Sequence, residues 1–346
     1  MEISKKAIIG IEGLELNNDE IDILKKYSPV GYILFSRNIH DKDQVKNLVG
    51  NIRNIIGWNC PVLIDQEGGS VQRLTKPGWP KYPPSNLFGK LAKSSLKLAK
   101  RATYLNYVLL GLDLKELGIN VNCAPCLDVK SINMHSVIGD RAFSSIPDIV
   151  SSLGESACNG LIDSGVLPII KHIPGHGKSI TDSHKELPII SDKIDTLERS
   201  DFIPFKDLSN MPIAMTAHIL YTEIDNKFSI TQSKKAYNYI RNNIRYDGIL
   251  ISDDIEMSAL KGTIEDRVRS IIKAGYDIIL HCSGNLNAAE KVLLNAPLLG
   301  SALSDKLKLS LNMIKNPEIS LNKTVYLNEI NKIFNNFPKL ELEYYK

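Results

Sequence analysis

No run of apolar residues approaches the ~18 that a bilayer span requires. The N-terminal stretch MEISKKAIIGIEG has neither a long apolar core nor a small-residue cleavage site. The expectation is a soluble, cytoplasmic chain with no membrane partner. Cysteine is scarce, with five residues, odd in number and scattered, which argues against a disulfide framework and for a reducing compartment. Cys123 and Cys126 form a lone C-A-P-C. A redox motif or half a zinc site is conceivable there, but no second pair exists, and two small buried thiols at a strand end fit better. An excess of charge is also missing. Lys and Arg total 42 against 39 Asp and Glu, for a net charge of +3, and the signs are interspersed, so no nucleic-acid partner is expected.

What is present is a repeating unit. In a chain of 346 residues, 43% of them hydrophobic, short apolar runs recur at Ala7 to Ile11, Val30 to Phe35, Pro61 to Ile64, Asn120 to Ala124, Leu167 to Ile170, Ile213 to Thr216, Ile249 to Ser252 and Asp277 to Leu280. Helical patterns lie between them, as at Asp41 to Ile56, where Val45, Leu48, Val49, Ile52 and Ile56 share one face. Near-continuous apolar strands imply burial on both faces and a parallel sheet. Eight such units predict an α/β fold, a (β/α)8 TIM barrel spanning 1–300 as a single domain, with a C-terminal helical tail, 301–346, packed on it.

A barrel carries its chemistry at the C-terminal ends of its strands, and the unusual polar residues fall there. Asp65 follows the third strand, and Asp128 and Arg141 the fourth. Lys171 and His172 follow the fifth, His218 the sixth, Asp253 and Asp254 the seventh and His281 the eighth. The stretch KHIPGHGKSITDSHKELP, 171–188, holds three of the seven histidines in a segment that Pro174 and Gly175 keep from being helical.

Each of these residues admits a bland reading beside a chemical one. Asp253 or Asp254 caps the following helix, or Asp253 faces substrate, where a carboxylate suits attack on an anomeric carbon. Asp182 forms a turn beside a surface histidine, or orients the His184 ring for proton transfer. His172 and His176 are four apart, but Pro174 and Gly175 deny them the helix face of a zinc motif, so no metal and no cofactor are expected. In DQEGGSVQR the glycine pair allows close backbone approach, and Asp65 with Arg73 suits hydroxyl recognition. Arg141, in GDRAF, is either an ion-pair partner or a donor to a substrate oxygen.

Together GYILFSRNI, LIDQEGGSVQRL, GDRAF, KHIPGHG, DSHKELP and ISDDIEM make the chain resemble glycoside hydrolase family 3, in particular its single-domain bacterial β-N-acetylhexosaminidases, from Ile8 to about Gly284. The resemblance implies a retaining exo-β-N-acetylglucosaminidase acting on a small saccharide or muropeptide, with a role in peptidoglycan recycling. It implies Asp253 as nucleophile, His184 as general acid/base tuned by Asp182, and Asp65, Arg73, Arg141, Lys171 and His172 as the grip on N-acetylglucosamine. Ser70 stands where arginine is common in the family and Lys178 where aspartate is common. A phosphorylase, a metal-dependent hydrolase and a non-catalytic sugar-binding barrel remain as rivals. The oligomeric state is open, with a monomer favoured.

Overall fold

The computed structural model describes residues 3–75, 77–131, 138–183, 185–314, 319, 322–337, 340 and 343–345. Its strands are β1 (Lys5–Gly10), β2 (Pro29–Leu34), β3 (Val62–Ile64), β4 (Val121–Asn122), β5 (Leu167–Ile173), β6 (Ile189–Ile190), β7 (Ile213–Thr216), β8 (Leu220–Tyr221), β9 (Ile249–Asp254) and β10 (Ile278–His281). Eight of them close a parallel barrel in the order β1-β2-β3-β4-β5-β7-β9-β10, with helices between successive strands. The (β/α)8 architecture expected from the apolar runs is the one observed. Only the short parallel pair β6–β8 was not anticipated.

Alternation along the strands explains why the runs are apolar throughout. Ile8, Ile33, Leu63, Ile169, Ile213, Ile249, Ile251 and Ile278 share one buried cluster, the barrel interior. Their neighbours Ile9, Tyr32, Leu34, Ile64, Ile170, Ala214, Leu250 and Ile279 belong to the layer beneath the helices. Side chains that alternate with period two and are buried on both faces keep the middles of the strands apolar. Leu299, with Leu303 and Leu307 of the helix Ser301–Asn312, joins the interior cluster.

The helix Leu96–Glu116 is buried almost all round. It is clasped between the helices Pro147–Asp163 and Lys323–Asn335. From the last of these Ile330, Ile333 and Phe334 are buried, Phe334 sets its ring edge-on to Phe88 at 6.2 Å, and Glu329 takes a bidentate pair from Arg101 at 2.7 and 2.8 Å.

Strand parity continues past the strand ends and aims the polar residues. Leu63 points inward, so Asp65 and Glu67 do as well. Ile169 leads to Lys171, and Ile249 and Ile251 lead to Asp253. The register slips at the mouth end of β5–β7, between Lys171 and Ile173, and of β9–β10, between Ile278 and Leu280. Such bulges re-aim side chains beside functional sites. β9 runs on through Asp254, so neither aspartate is the cap of a following helix.

Candidate active site

Asp65, Glu67, Arg73, Arg141, Lys171, His172, Asp253 and Asp254 line one cavity of about 200 Å³, together with the apolar Phe35, Met215, Met257 and Leu280. Six of the eight residues to which the family resemblance gave a role therefore meet in one place: Asp65, Arg73, Arg141, Lys171, His172 and Asp253. The other two belong to the loop after β5. Asp182 sits at its turn, where its carbonyl accepts the amides of Lys185 and Glu186, and His184 lies outside the described residues.

Most of the cavity wall is a chain of alternating charges. Lys171 Nζ lies 2.8 Å from Asp65 and 2.6 Å from Glu67. Glu67 accepts Arg141 through both oxygens, at 2.9 and 2.8 Å, and Asp65 reaches Arg73 at 3.4 Å. Burial alone would make Glu67 hard to ionise, but Arg141 and Lys171 outweigh it and hold its carboxyl down at about 2. The same balance raises Lys171, whose burial is overcome by Asp65 and Glu67. An ammonium so paired donates hydrogen bonds and does not serve as a base.

Local sequence builds this wall. Gln66, the outward residue between the two acids, receives the Arg73 and Leu74 amides at 2.9 and 3.0 Å. Its own amide donates to Asn122 at 3.0 Å. Gly68 and Gly69 have φ of +91° and +58°, a region that side-chain-bearing residues avoid. A Cβ on Gly68 would sit 2.4 Å from the Pro83 carbonyl, and one on Gly69 2.6 Å from the Asp140 carboxylate. The close approach expected of this pair is thus made to the protein itself. Ser70 hydrogen-bonds Asp140 at 2.5 Å, and Lys178 pairs with Asp192 at 2.6 Å.

A second network holds the histidines. Asp128 is fully buried and accepts four hydrogens: the amides of His172 at 3.2 Å and His176 at 2.8 Å, His172 Nδ1 at 2.7 Å and Cys126 Sγ at 3.2 Å. Despite its burial, His172 keeps this carboxyl ionised well below the usual range. The bond fixes the proton of His172 on Nδ1 and leaves Nε2 for the cavity. Burial pushes His176 down to about 4, and its Nε2 lies 3.3 Å from Ser183 Oγ. The Ser183 carbonyl in turn accepts the Ala259 amide from the loop after β9, so Ser183 is tied to the segment that follows Asp253 and Asp254. At Gly177 a Cβ would meet the Val129 carbonyl at 1.8 Å.

Burial opposes ionisation of Asp253, but His172, His218, the Asp254 amide and Lys171 hold its carboxyl below the ordinary value. That amide donates to Asp253 Oδ1 at 2.7 Å. Asp254 goes the opposite way, pushed up to about 6 by burial and by its charged neighbour. His218 is a fixed part of the wall. Its Nε2 donates to the Asp254 carbonyl at 2.9 Å and its Nδ1 lies 2.8 Å from the Thr231 hydroxyl. His281 pairs with Glu256 at 3.2 Å.

Glu67 and Asp128 were visible at strand ends but received no role. The signal for Glu67 was its position two residues after Asp65 in an extended segment, which places both acids on one side. For Asp128 the local signal is weak, since three of its four hydrogens come from His172 and His176, 44 and 48 residues away.

A glycosidase needs an ionised carboxylate, a proton carrier and a polar cradle for sugar hydroxyls, and this barrel mouth presents the first and the last. The glycosyl hydrolase family 3 N-terminal domain model matches residues 4–309, and the chain belongs to that family. Beta-hexosaminidases of Actinobacillus pleuropneumoniae serotype 3 and of Tolumonas auensis are 33% and 32% identical to it. The first alignment covers 80% of both chains, the second 81% of this chain and 84% of the relative. The crystal structure of NagZ from Neisseria gonorrhoeae in complex with N-trifluoroacetyl-D-glucosamine superimposes with a TM-score of 0.85 at 26% identity, over 96% of this chain and 98% of that one.

Proposed function

We propose that the chain is a retaining exo-β-N-acetylglucosaminidase, and that Asp253 is its nucleophile. The observation that carries this is an ionised carboxylate at an inward strand tip, inside a cradle of Asp65, Arg73, Arg141, Lys171 and His172, in a family 3 chain whose relatives are beta-hexosaminidases. Asp253 attacks the anomeric carbon of a terminal β-linked N-acetylglucosamine. The bond from that carbon to the leaving oxygen breaks, and His184, oriented by Asp182, gives the oxygen its proton. Water then attacks the glycosyl–Asp253 ester, His184 takes up the water's proton, and the sugar leaves with its configuration retained.

The cradle acts as donors and acceptors for sugar hydroxyls and the acetamide. Lys171 and Arg141 are charged at every working pH, and Asp65 and Glu67 fix where their N–H groups point. The substrate of this reading is N-acetylglucosaminyl-1,6-anhydro-N-acetylmuramic acid, carrying peptide or not, in cytoplasmic peptidoglycan recycling. Residues 1–300 are the catalytic unit in this scheme, with 301–346 as its packed tail. No helix among the described residues is long and apolar enough to cross a membrane.

Mass spectrometry after reaction with a 5-fluoro N-acetylglucosaminyl fluoride tests the reading. A single adduct on the peptide holding Asp253 is expected, together with turnover of an aryl N-acetyl-β-glucosaminide falling on the order of 10⁴-fold or more in Asp253→Ala. An adduct elsewhere, or near-normal turnover of that variant, removes Asp253 from the role. Faster release of sugar as the 1-phosphate when phosphate is added identifies a phosphorylase.

A further inference from the structure

Cys126 belongs to the second network, and the hydrolytic scheme leaves it unused. Its thiol, the Asp128 carboxylate and the His172 imidazole each offer one ligand atom, all within 4.8 Å of one another, and all three residues are buried. Cys126 and Asp128 are alternate residues of an extended segment that pairs with β5 through a bridge from Cys126 to Lys171. They therefore face the same way, beside His172 on the neighbouring strand.

Asp128 is already oriented for coordination. Its Oδ1 is tied to the amides of His172 and His176, and its Oδ2 meets both His172 Nδ1 at 2.7 Å and Cys126 Sγ at 3.2 Å. A tetrahedral zinc ion separates such donors by about 3.3–3.6 Å, given its usual bond lengths, so the contacts of Asp128 Oδ2 with His172 and Cys126 need to widen by about half an ångström to admit it. A further donor stands close by. His176 sets its ring 5.6 Å from that of His172, and its Nδ1 is buried with no hydrogen-bond partner.

The geometry points to a binding site for a thiophilic divalent cation, zinc foremost, at Cys126, Asp128 and His172. There the ion acts as a reversible inhibitor and takes no part in turnover. It replaces the two hydrogens now directed at Asp128 Oδ2. The thiol proton leaves to solvent and the imidazole keeps its hydrogen on Nε2. Thiolate, imidazole and carboxylate are a donor set that selects zinc over magnesium or calcium. His172 lines the sugar cavity, so the ion enters from there, and it sets a positive charge beside the wall that holds Asp253. This inhibitory half rests on the function proposed above; the site itself does not.

Cobalt(II) titration of the full chain in thiol-free buffer separates the two. A thiolate-to-cobalt charge-transfer band is expected at one equivalent, displaced by zinc, lost in Cys126→Val and kept in Cys123→Ala and Cys282→Ala. In parallel, zinc inhibition of aryl N-acetyl-β-glucosaminide hydrolysis is expected to weaken by about tenfold or more in Cys126→Val. Absence of the band, or its survival in Cys126→Val, overturns the site. A band lost in Cys126→Val with zinc inhibition undiminished places inhibition elsewhere and overturns that half alone. If Cys126→Val fails to fold, Cys126→Ser decides in its place, and an unchanged band there also overturns the site.

Discussion

The ammonium of Lys171 stands 2.6 Å from the carboxylate of Glu67, and both side chains are at most 3% exposed. Neither charge would be tolerable at that depth alone. Their pairing, extended to Asp65 and Arg141, makes the cavity wall a rigid donor array whose hydrogen-bond directions are set before any ligand arrives.

Glu67→Gln is expected to leave Lys171 and Arg141 short of one buried negative charge and to cost about 3–5 kcal/mol of stability. In the folded wild type this carboxyl sits at about 2, below the ordinary 4.5. Its contribution is therefore complete above pH 4.5 and disappears as pH falls toward 2. Urea unfolding of both proteins across that range checks this: the difference should be largest at neutral pH and shrink with acid. A constant difference would contradict the ion-pair account.

His184→Ala should depress hydrolysis of substrates with poor leaving groups by about 10²–10⁴-fold and activated aryl glycosides far less in the glycosylation step. Pre-steady-state rates on a series of aryl aglycones measure this. Equal losses across the series would deny His184 the role of proton donor.

Asp254→Asn is expected to stabilise the protein near neutral pH. The folded carboxyl is raised from 3.8 to about 6, so the wild type is favoured below pH 3.8 and loses stability as pH rises through 6. The amide keeps an oxygen to accept the Glu256 and Cys282 amides that Asp254 Oδ1 now accepts. A gain of about 1–2 kcal/mol at pH 7.5, vanishing below pH 4, is the expected outcome in thermal or urea unfolding.

Phe334→Ala should cost about 3–5 kcal/mol by opening a cavity against Phe88. KM for an aryl N-acetyl-β-glucosaminide should stay within about twofold at a temperature where the variant is folded, because the helix Lys323–Asn335 buries Phe334 away from the lining of the sugar cavity. A large rise in KM would tie the C-terminal helix to the site.

The barrel was legible because its information is local. Ile8, Ile33, Leu63 and Ile169 lie in runs with no polar residue at either parity, the pattern of strands buried on both faces. The site was legible in outline for the same reason, since strand parity carries Leu63 on to Asp65 and Ile251 on to Asp253. Closure of the barrel decided the rest. It set Glu67 against Arg141, 74 residues on, and Asp128 against His172, 44 residues on. A carboxylate at a strand tip reads the same in sequence whether it faces a guanidinium, an imidazole or a sugar. The residue that arrives opposite it from another strand fixes its charge and its task, and that encounter is settled only when the eight strands share one axis.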